Sequence, residues 1–192
     1  NLSKKRFNFE IGAYSTAIRN LMVDQSRGDS LVFQGDTTPV FRIANAASGI
    51  IRGAYISTQY QFLNHWYLDG SITFTKGRFK ADGNSFFEPL DHIPPTFGRL
   101  GVKYKKKGFD IQAFVIFNGI KPNSEYSSSG EDNLDDTQYG APNGFTPAWQ
   151  IYHLSAHSSV SENLDFWIGI DNMLDLNYRP FASGINAAGR NL

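Results

Sequence analysis

The sequence predicts an all-β chain in which about seven antiparallel strands form part of a transmembrane β-barrel. Three observations favour this fold class. Apolar residues recur at every second position in segments spread along the chain. Short links alternate with long loops rich in glycine, proline, serine, asparagine and aspartate. The longest apolar run, residues 113–117, is far shorter than the ~20 residues of a membrane-spanning helix, whereas a barrel strand needs an apolar residue only at every second position.

The composition excludes several classes of protein. The 192 residues include 18 Lys and Arg against 18 Asp and Glu, which gives a net charge of zero and argues against a nucleic-acid surface. Hydrophobic residues make up 41% and aromatic residues 15%, which is too apolar for a disordered tail. Because cysteine is absent, the chain has no disulfide framework, thiolate metal site or thiol nucleophile.

The strands follow from the alternation in chain order. A first strand begins at Phe7, and its pattern fades before Asp24. Clear alternation covers residues 68–75, 109–118 and 164–171, and weaker alternation covers residues 54–62, 100–104 and 152–156. In the six later strands the apolar faces carry no charge, whereas the opposite faces carry Asp69, Arg99, Lys103, Asp110, Asp165 and Asp171. A soluble β-sandwich would allow the same distribution of charge.

The connections discriminate better between a barrel and a sandwich. The short links are residues 63–65, 105–108 and 160–163, and the long ones are residues 26–39, 83–95, 121–147 and 175–189. Long loops are uncommon inside compact domains, but outer-membrane barrels have short turns at one end and long loops at the other. Aromatic residues flank the short turns, where an interfacial girdle is expected: Phe62, Trp66, Tyr67, Tyr104 and Phe109. Lysines 105–107 are expected to form a solvated turn.

Four motifs carry a family resemblance. The segment Asn172-Met173-Leu174-Asp175-Leu176-Asn177-Tyr178-Arg179 resembles the Asn-Leu-Phe-Asp-x-x-Tyr-Arg signature of TonB-dependent outer-membrane receptors, with Met173 and Leu174 in place of Leu and Phe. Gly189-Arg190 is similar to the Gly-Arg that precedes the last strand of these receptors. Ile93-Pro94-Pro95 with Gly98-Arg99-Leu100-Gly101, and Thr146-Pro147-Ala148-Trp149 with Leu154, resemble passages that enter earlier strands.

The resemblance implies a carboxy-terminal fragment of a barrel of ~22 strands with a plug in its lumen. Residues 1–192 would be the carboxy-terminal portion of this barrel, without the last strand and without the plug domain. The implied partners are the remainder of the same barrel and its plug, the TonB energy-transducing complex, outer-membrane lipid and a small nutrient ligand. The implied location is the bacterial outer membrane, and whether a surface lipoprotein also binds is left open.

The implied function is active import of a scarce nutrient, for which an iron–siderophore is the family's most frequent ligand. Exposed aromatic residues on loops often recognise ligands, and the candidates here are Phe86, Phe87, Tyr126, Tyr139 and Trp149. For each of them, packing between loops is an equally good interpretation. A passive porin-like barrel and a soluble carbohydrate-binding sandwich are the alternative functions.

Other residue groups predict no chemistry. His153 and His157 share a face but stand ~13 Å apart along a strand, too far to bind one metal, so both are expected to form hydrogen bonds in the lumen. Acidic residues in the loop of residues 121–147 are expected at a solvated tip: Glu131, Asp132, Asp135 and Asp136. No Gly-x-Ser-x-Gly turn presents a nucleophile. The sequence therefore predicts a protein that is not an enzyme, with no cofactor and no metal site.

Overall fold

The computed structural model describes residues 2–4, 6–81, 86–127, 132 and 145–192. These residues form strands and one 3₁₀ helix, Asn123–Glu125. The strands are β1 (Leu2–Lys4), β2 (Phe7–Phe33), β3 (Asp36–Leu63), β4 (Trp66–Ala81), β5 (Glu88–Pro89), β6 (Phe97–Lys106), β7 (Phe109–Asn118), β8 (Lys121–Pro122), β9 (Phe145–Thr146), β10 (Trp149–Ser161) and β11 (Leu164–Ile170). No helix in the described residues is long and apolar enough to cross a membrane.

One antiparallel sheet contains all the long strands. Its order is β1-β2-β3-β4-β6-β7-β10-β11, with the short β5 added beside β4, and β8 and β9 form a separate pair. Long strands that are adjacent in the chain are also adjacent in the sheet, which is the up-and-down arrangement of a barrel wall. The predicted all-β fold and its seven strands are therefore confirmed, as β2, β3, β4, β6, β7, β10 and β11.

The strand register aligns the apolar stripes of β3, β4, β6, β7, β10 and β11 on one face of the sheet. Side chains alternate between the two faces along each strand, so directly paired residues share a face. One row on the apolar face runs through Tyr60, Leu68, Val102, Ala113, Leu154 and Ile170. The adjacent row on the other face runs through Tyr67, Lys103, Gln112, Ser155 and Gly169. The sheet therefore has one apolar and one polar face over its full width.

The apolar face is not covered by a second layer. Phe74 is 44% exposed, Leu100 is 49% exposed and Ile168 is 75% exposed. In a β-sandwich, two inner faces about 10 Å apart would bury such residues. Within the described residues, the buried hydrophobic side chains are limited to Phe79, Tyr126 and Ile151. The alternative of a two-layer sandwich is wrong for this part of the chain.

The length of the central strands fits the thickness of a bilayer. β6 and β7 each have 10 residues, which corresponds to roughly 33 Å of strand. Tilted by about 45°, a strand of that length rises roughly 24 Å, close to the ~25 Å apolar band of outer-membrane barrels.

The predicted loop at residues 26–39 is wrong, because this segment belongs to a β-hairpin. β2 continues to Phe33 and β3 begins at Asp36, with a register shift between Ser26 and Ser30. Gln34 and Gly35 join the strands with positive φ angles of 52° and 93°, as a two-residue type I′ turn requires. The outer part of this hairpin has water on both faces, so alternation is not required there.

The predicted aromatic girdle forms at the short-turn end of the apolar face. Ring centroids are 6.3 Å apart for Phe62 and Trp66, 5.1 Å for Trp66 and Tyr104, and 6.3 Å for Tyr104 and Phe109. Tyr67 does not join them, because it follows Trp66 directly in β4 and lies in the polar row of Lys103. The girdle in this structure therefore contains four of the five predicted rings.

Candidate ligand-binding cavity at the long-loop end

A cavity of about 460 Å³ lies among the loops at the end of the sheet opposite the short turns. Its walls come from the segments that follow β8, precede β10 and follow β11. Most of its large side chains are aromatic: Tyr126, Trp149, Tyr178 and Phe181. Arg179, Asp132 and Asn186 add polar groups. A few polar groups in an aromatic cavity are typical of small-molecule sites.

The structure brings two of the five predicted ligand-binding residues together. Tyr126 and Trp149 both line the cavity. Phe86 and Phe87 lie outside it and are 60% and 57% exposed. Tyr139 lies outside the described residues.

Ring contacts fix the aromatic walls. The Trp149 and Tyr178 ring centroids are 4.5 Å apart, and those of Tyr126 and Phe181 are 6.3 Å apart. The Tyr126 hydroxyl lies 2.6 Å from Thr146 Oγ1, which ties the loop after β8 to β9. The buried indole Nε1 of Trp149 has no hydrogen-bond partner among the described residues. Because this nitrogen is itself inaccessible to solvent, the indole contributes its ring face and edge, not its N–H, to the cavity.

Sequence reasoning did not select Phe181 as a ligand candidate, and it used Tyr178 and Arg179 only as parts of a motif. The available signal was weak, since it consisted of an aromatic residue in the long loop of residues 175–189. The Arg179 side chain is oriented by the 3.0 Å hydrogen bond that its Nε donates to Asn186 Oδ1. The cavity is therefore lined in part by the loop of residues 175–189. The sequence singles out this loop mainly because its first residues belong to the family motif.

A buried lysine joins three of these loops. Lys121 is 3% exposed, and its Nζ donates a 2.6 Å hydrogen bond to the Ile93 carbonyl. The same nitrogen lies 4.4 Å from the Tyr126 ring centroid and 4.1 Å from that of Phe181. Asp132 Oδ2 is 3.7 Å away. Lys121 therefore connects the cavity wall to the loop before β6.

Asp132 is not at a solvated loop tip, contrary to the expectation from sequence. It is 2% exposed, and it accepts hydrogen bonds from the His92 backbone N–H at 2.9 Å and from His92 Nδ1 at 3.0 Å. A buried carboxylate requires such partners because water no longer solvates it. The other predicted acidic residues of this loop, Glu131, Asp135 and Asp136, lie outside the described residues.

Burial lowers the pKa of Lys121 below its usual range, although Asp132, Asp91 and Glu125 partly oppose the shift. When the loops come apart, the lysine regains an ordinary pKa. Between the two pKa values the open form binds more protons, so the closed form becomes more stable as the pH rises. We therefore expect chymotrypsin to cleave after Phe181 more slowly as the pH approaches the ordinary lysine pKa of ~10.4.

The test of this prediction is a chymotrypsin digest at several pH values, with each rate normalised to that of a free peptide containing the same site. The Lys121→Arg variant is the control, because its guanidinium does not titrate in this range. If the cleavage rate rises with pH in the native protein and stays flat in the variant, the closed form of the loops is not stabilised at higher pH, and the prediction is contradicted.

The family motif closes the loop that follows β11. The Asn172 side chain is buried, accepts the Leu176 backbone N–H at 3.0 Å and donates to the Leu176 carbonyl at 2.8 Å. Asp175 Oδ1 accepts the Arg190 backbone N–H at 2.7 Å. A Cβ at Gly189 would lie 2.6 Å from that oxygen, so glycine is the residue that fits there. These motif residues stabilise the loop that carries Tyr178 and Arg179.

We expect Asn172→Ala to loosen this loop by about 1–3 kcal/mol, because buried backbone groups lose their partners and φ is +47° at this position. Hydrogen exchange in residues 174–190, followed by mass spectrometry, measures the effect. Asn172→Gly separates the two causes, since glycine tolerates the positive φ but also lacks the hydrogen bonds. Exchange at the native rate in both variants would show that the motif does not hold the loop.

The polar face of the sheet carries the charged residues that the sequence placed there, and the structure shows several of them in ion pairs. Arg99 pairs with Asp69, and its guanidinium carbon lies 4.3 Å from the Phe114 ring centroid. Lys103 Nζ is 3.3 Å from Asp110 Oδ1. Ion pairs of this kind neutralise charged side chains. An unpaired charge beside the low-dielectric sheet would cost free energy.

Both histidines of this face form hydrogen bonds with carboxylates. His153 Nδ1 lies 2.7 Å from Asp171 Oδ1. His157 lies between Asp110, at 3.3 Å, and Asp165, at 3.2 Å. All three contacts agree with the hydrogen-bonding role predicted for the two residues.

Comparison with known proteins gives the family. The family model described as "TonB dependent receptor-like, beta-barrel" matches residues 1–173. No curated protein matches the chain. Similar solved structures include the copper transporter OprC, with a TM-score of 0.75, 16% identity and 97% of this chain covered. The FrpB iron transporter from Neisseria meningitidis gives a TM-score of 0.70, 13% identity and 98% coverage of this chain.

The ferric-catecholate import receptor Fiu from E. coli K12 gives a TM-score of 0.57 with 19% identity and 97% coverage of this chain. This chain spans 28% of the OprC and FrpB chains and 24% of the Fiu chain. At these identities the structural likeness shows the fold alone, and the match of the family model adds the membership. The chain belongs to the TonB-dependent receptor β-barrel family, whose members are receptors and transporters rather than enzymes.

Proposed function

We propose that residues 1–192 are the carboxy-terminal portion of the barrel of an active-transport receptor in the bacterial outer membrane. The receptor binds a scarce nutrient at its extracellular loops and imports it with energy transmitted by TonB. The observation that carries this proposal is the register of the sheet, which gathers every apolar stripe on one uncovered face. Hydrocarbon is the environment that such a face fits, because a closed sheet satisfies its backbone hydrogen bonds internally.

The partners follow from this proposal. β1 and β11 lie at the two edges of the described sheet, and open edges do not occur in hydrocarbon. The remainder of the same barrel therefore pairs with them, and a plug occupies the lumen beside the polar face. Outer-membrane lipid contacts the apolar face, and the TonB complex acts from the short-turn side. A surface lipoprotein, if the receptor has one, would contact the long-loop end.

The cavity is the ligand site that we propose. Its aromatic walls and the Arg179 guanidinium suit a ligand with planar groups and hydrogen-bond acceptors. An iron–siderophore has such groups, and structural neighbours include proteins described as siderophore receptors. Phe86, Phe87 and Tyr139 are proposed as additional contacts from the surrounding loops.

Uptake by living cells tests the proposal. The full-length receptor is expressed in a strain that lacks its own siderophore receptors, and accumulation of a radiolabelled ferric siderophore is measured with and without a functional TonB. Active import predicts accumulation that requires both the receptor and TonB. Accumulation that persists without TonB would instead indicate a passive porin-like barrel, and no accumulation of any tested siderophore would refute this ligand class.

The Trp149→Ala variant tests the location of the ligand site. We expect it to weaken uptake while the amount of folded receptor is unchanged. Trp66→Ala is the matched control, because Trp66 belongs to the girdle at the opposite end of the sheet. Equal uptake by the two variants would place the ligand elsewhere.

A further inference from the structure

Three consecutive exposed lysines lie at the end of β6 and in the turn to β7: Lys105, Lys106 and Lys107. The lysine just before them, Lys103, lies on the polar face and pairs with Asp110. Lys105, Lys106 and Lys107 form no ion pair with any described residue. This turn, residues 105–107, is named the lysine turn below. Lys105 is paired with Asp110 in the register and shares the polar face with it, whereas Lys106 lies on the apolar face and Lys107 lies in the turn itself. The segment therefore concentrates positive charge at the short-turn end.

Backbone hydrogen bonds fix the lysine turn to the turns on either side. The Lys105 N–H donates to the His65 carbonyl at 2.7 Å, and His65 Nδ1 lies 3.0 Å from the Lys105 carbonyl. On the other side, the Ser159 N–H donates to the Gly108 carbonyl at 2.8 Å. The charges therefore project from an ordered backbone, and their binding to an anion requires little additional ordering.

The lysine turn lies directly beside the aromatic girdle. Tyr104 precedes it, and Phe109 follows Gly108. Lys106 is paired with Phe109 in the register, so the two share the apolar face. Aromatic girdles lie at the level of the lipid headgroups. A lysine side chain that starts on the apolar face at this level reaches the phosphate oxygens with its ammonium group while its methylenes stay among apolar groups.

We propose that the lysine turn is a binding surface for the anionic headgroups of phospholipids in the leaflet that contacts the short-turn end. This inference rests on the proposed location in a membrane. Continuity with the girdle favours a lipid headgroup over free phosphate, because the same rings that contact acyl chains hold the turn at headgroup depth. The adjacent turn carries one exposed acid, Glu162, so positive charge prevails locally.

Native mass spectrometry of the full-length receptor in lipid nanodiscs tests the inference. The nanodiscs contain phosphatidylethanolamine, with or without phosphatidylglycerol, and the retained phosphatidylglycerol is counted. Each lysine near an anionic surface contributes about fivefold in affinity. We therefore expect the triple variant Lys105→Gln, Lys106→Gln, Lys107→Gln to lose at least about tenfold in phosphatidylglycerol retention.

Two variants control for charge and position. The triple Lys→Arg variant keeps the positive charges and is expected to retain the lipid. Lys76→Gln removes an exposed lysine whose side chain is 63% accessible and which lies among the residues of the long-loop end, and it is expected to behave as the native protein. Heat-modifiable mobility in gels confirms that each variant is folded before lipid is counted.

The outcomes are distinct. Native retention of phosphatidylglycerol in the triple Gln variant, or an equal loss in Lys76→Gln, would overturn the inference. Full displacement of the lipid by excess inorganic phosphate would also overturn it, since it would indicate a site for free phosphate. A receptor that fails to enter nanodiscs would refute the proposed membrane location, whereas an inserted receptor without lipid preference would refute this inference alone.

Discussion

Replacing Gly98 by alanine is expected to destabilise the barrel wall by about 3 kcal/mol, the upper end of the usual cost of overpacking. A Cβ at this position would lie 2.3 Å from the Ser71 carbonyl oxygen and 2.5 Å from Cζ of Phe117. The Phe117 ring is the end of a flexible side chain, but the Ser71 carbonyl belongs to the ladder that joins β4 to β6 and cannot move as easily. Urea unfolding of the full-length receptor in vesicles, followed by gel mobility, measures the loss.

Gly169→Ala is the matched control for Gly98→Ala. Gly169 lies in β11, and its added methyl would meet its nearest atom, the Leu154 carbonyl oxygen, at 3.5 Å. That distance is an ordinary contact, so we expect a change within about 0.5 kcal/mol. Equal unfolding midpoints for the two alanine variants would contradict the packing described for β4 and β6.

Replacing Leu100 by arginine is expected to cost about 2–4 kcal/mol, the range for a charge on the lipid face near the bilayer midplane. Leu100 lies near the middle of β6 on the apolar face and is 49% exposed. In water, an exposed leucine is replaced by arginine at little cost. The size of the loss therefore distinguishes hydrocarbon from water at this face, and it is measured by the same urea unfolding in vesicles.

Ser57→Arg provides the control on the opposite face. Leu100 pairs with Gly70, and Gly70 pairs with Thr58, so Ser57 lies in the next residue row of the same sheet, two strands from Leu100. Ser57 lies on the polar face and is paired with Glu10 across β2. We expect a change of less than about 1 kcal/mol, because a polar lumen tolerates an added charge near a carboxylate. Comparable losses of unfolding free energy in Leu100→Arg and Ser57→Arg would contradict the claim that the two faces of the sheet have different environments.

The fold was predictable wherever one face of a strand differs from the other. The alternation in residues 68–75 and 109–118 requires one polar and one apolar environment, and these residues form β4 and β7. In the outer part of the β2–β3 hairpin both faces are exposed, as the 67% exposure of Leu31 and the 72% exposure of its chain neighbour Val32, on the opposite face, indicate. A strand with the same environment on both faces does not require alternating apolar and polar residues. The Gln-Gly turn is also a weaker sequence signal for a hairpin than Asn-Gly.

The site was less predictable than the sheet, because it is built by loops that meet only in three dimensions. Aromatic type alone selected Tyr126 and Trp149, but it did not distinguish them from Phe86 and Phe87, which lie outside the cavity. The burial of Lys121 depends on Ile93 and Phe181, which are 28 and 60 positions away in the chain. Sequence patterns of short range contain no information on such contacts.

The central claim is that the apolar face of this sheet contacts acyl chains. Spin labels placed one at a time along residues 110–117 of β7, in a cysteine-free full-length receptor reconstituted in vesicles, test it most directly. Contact with acyl chains predicts alternation with a period of two: labels at Ile111, Ala113, Val115 and Phe117 collide preferentially with oxygen dissolved in lipid, and labels at Asp110, Gln112, Phe114 and Ile116 do not. Uniform accessibility along β7 to a water-soluble nickel complex would contradict the claim.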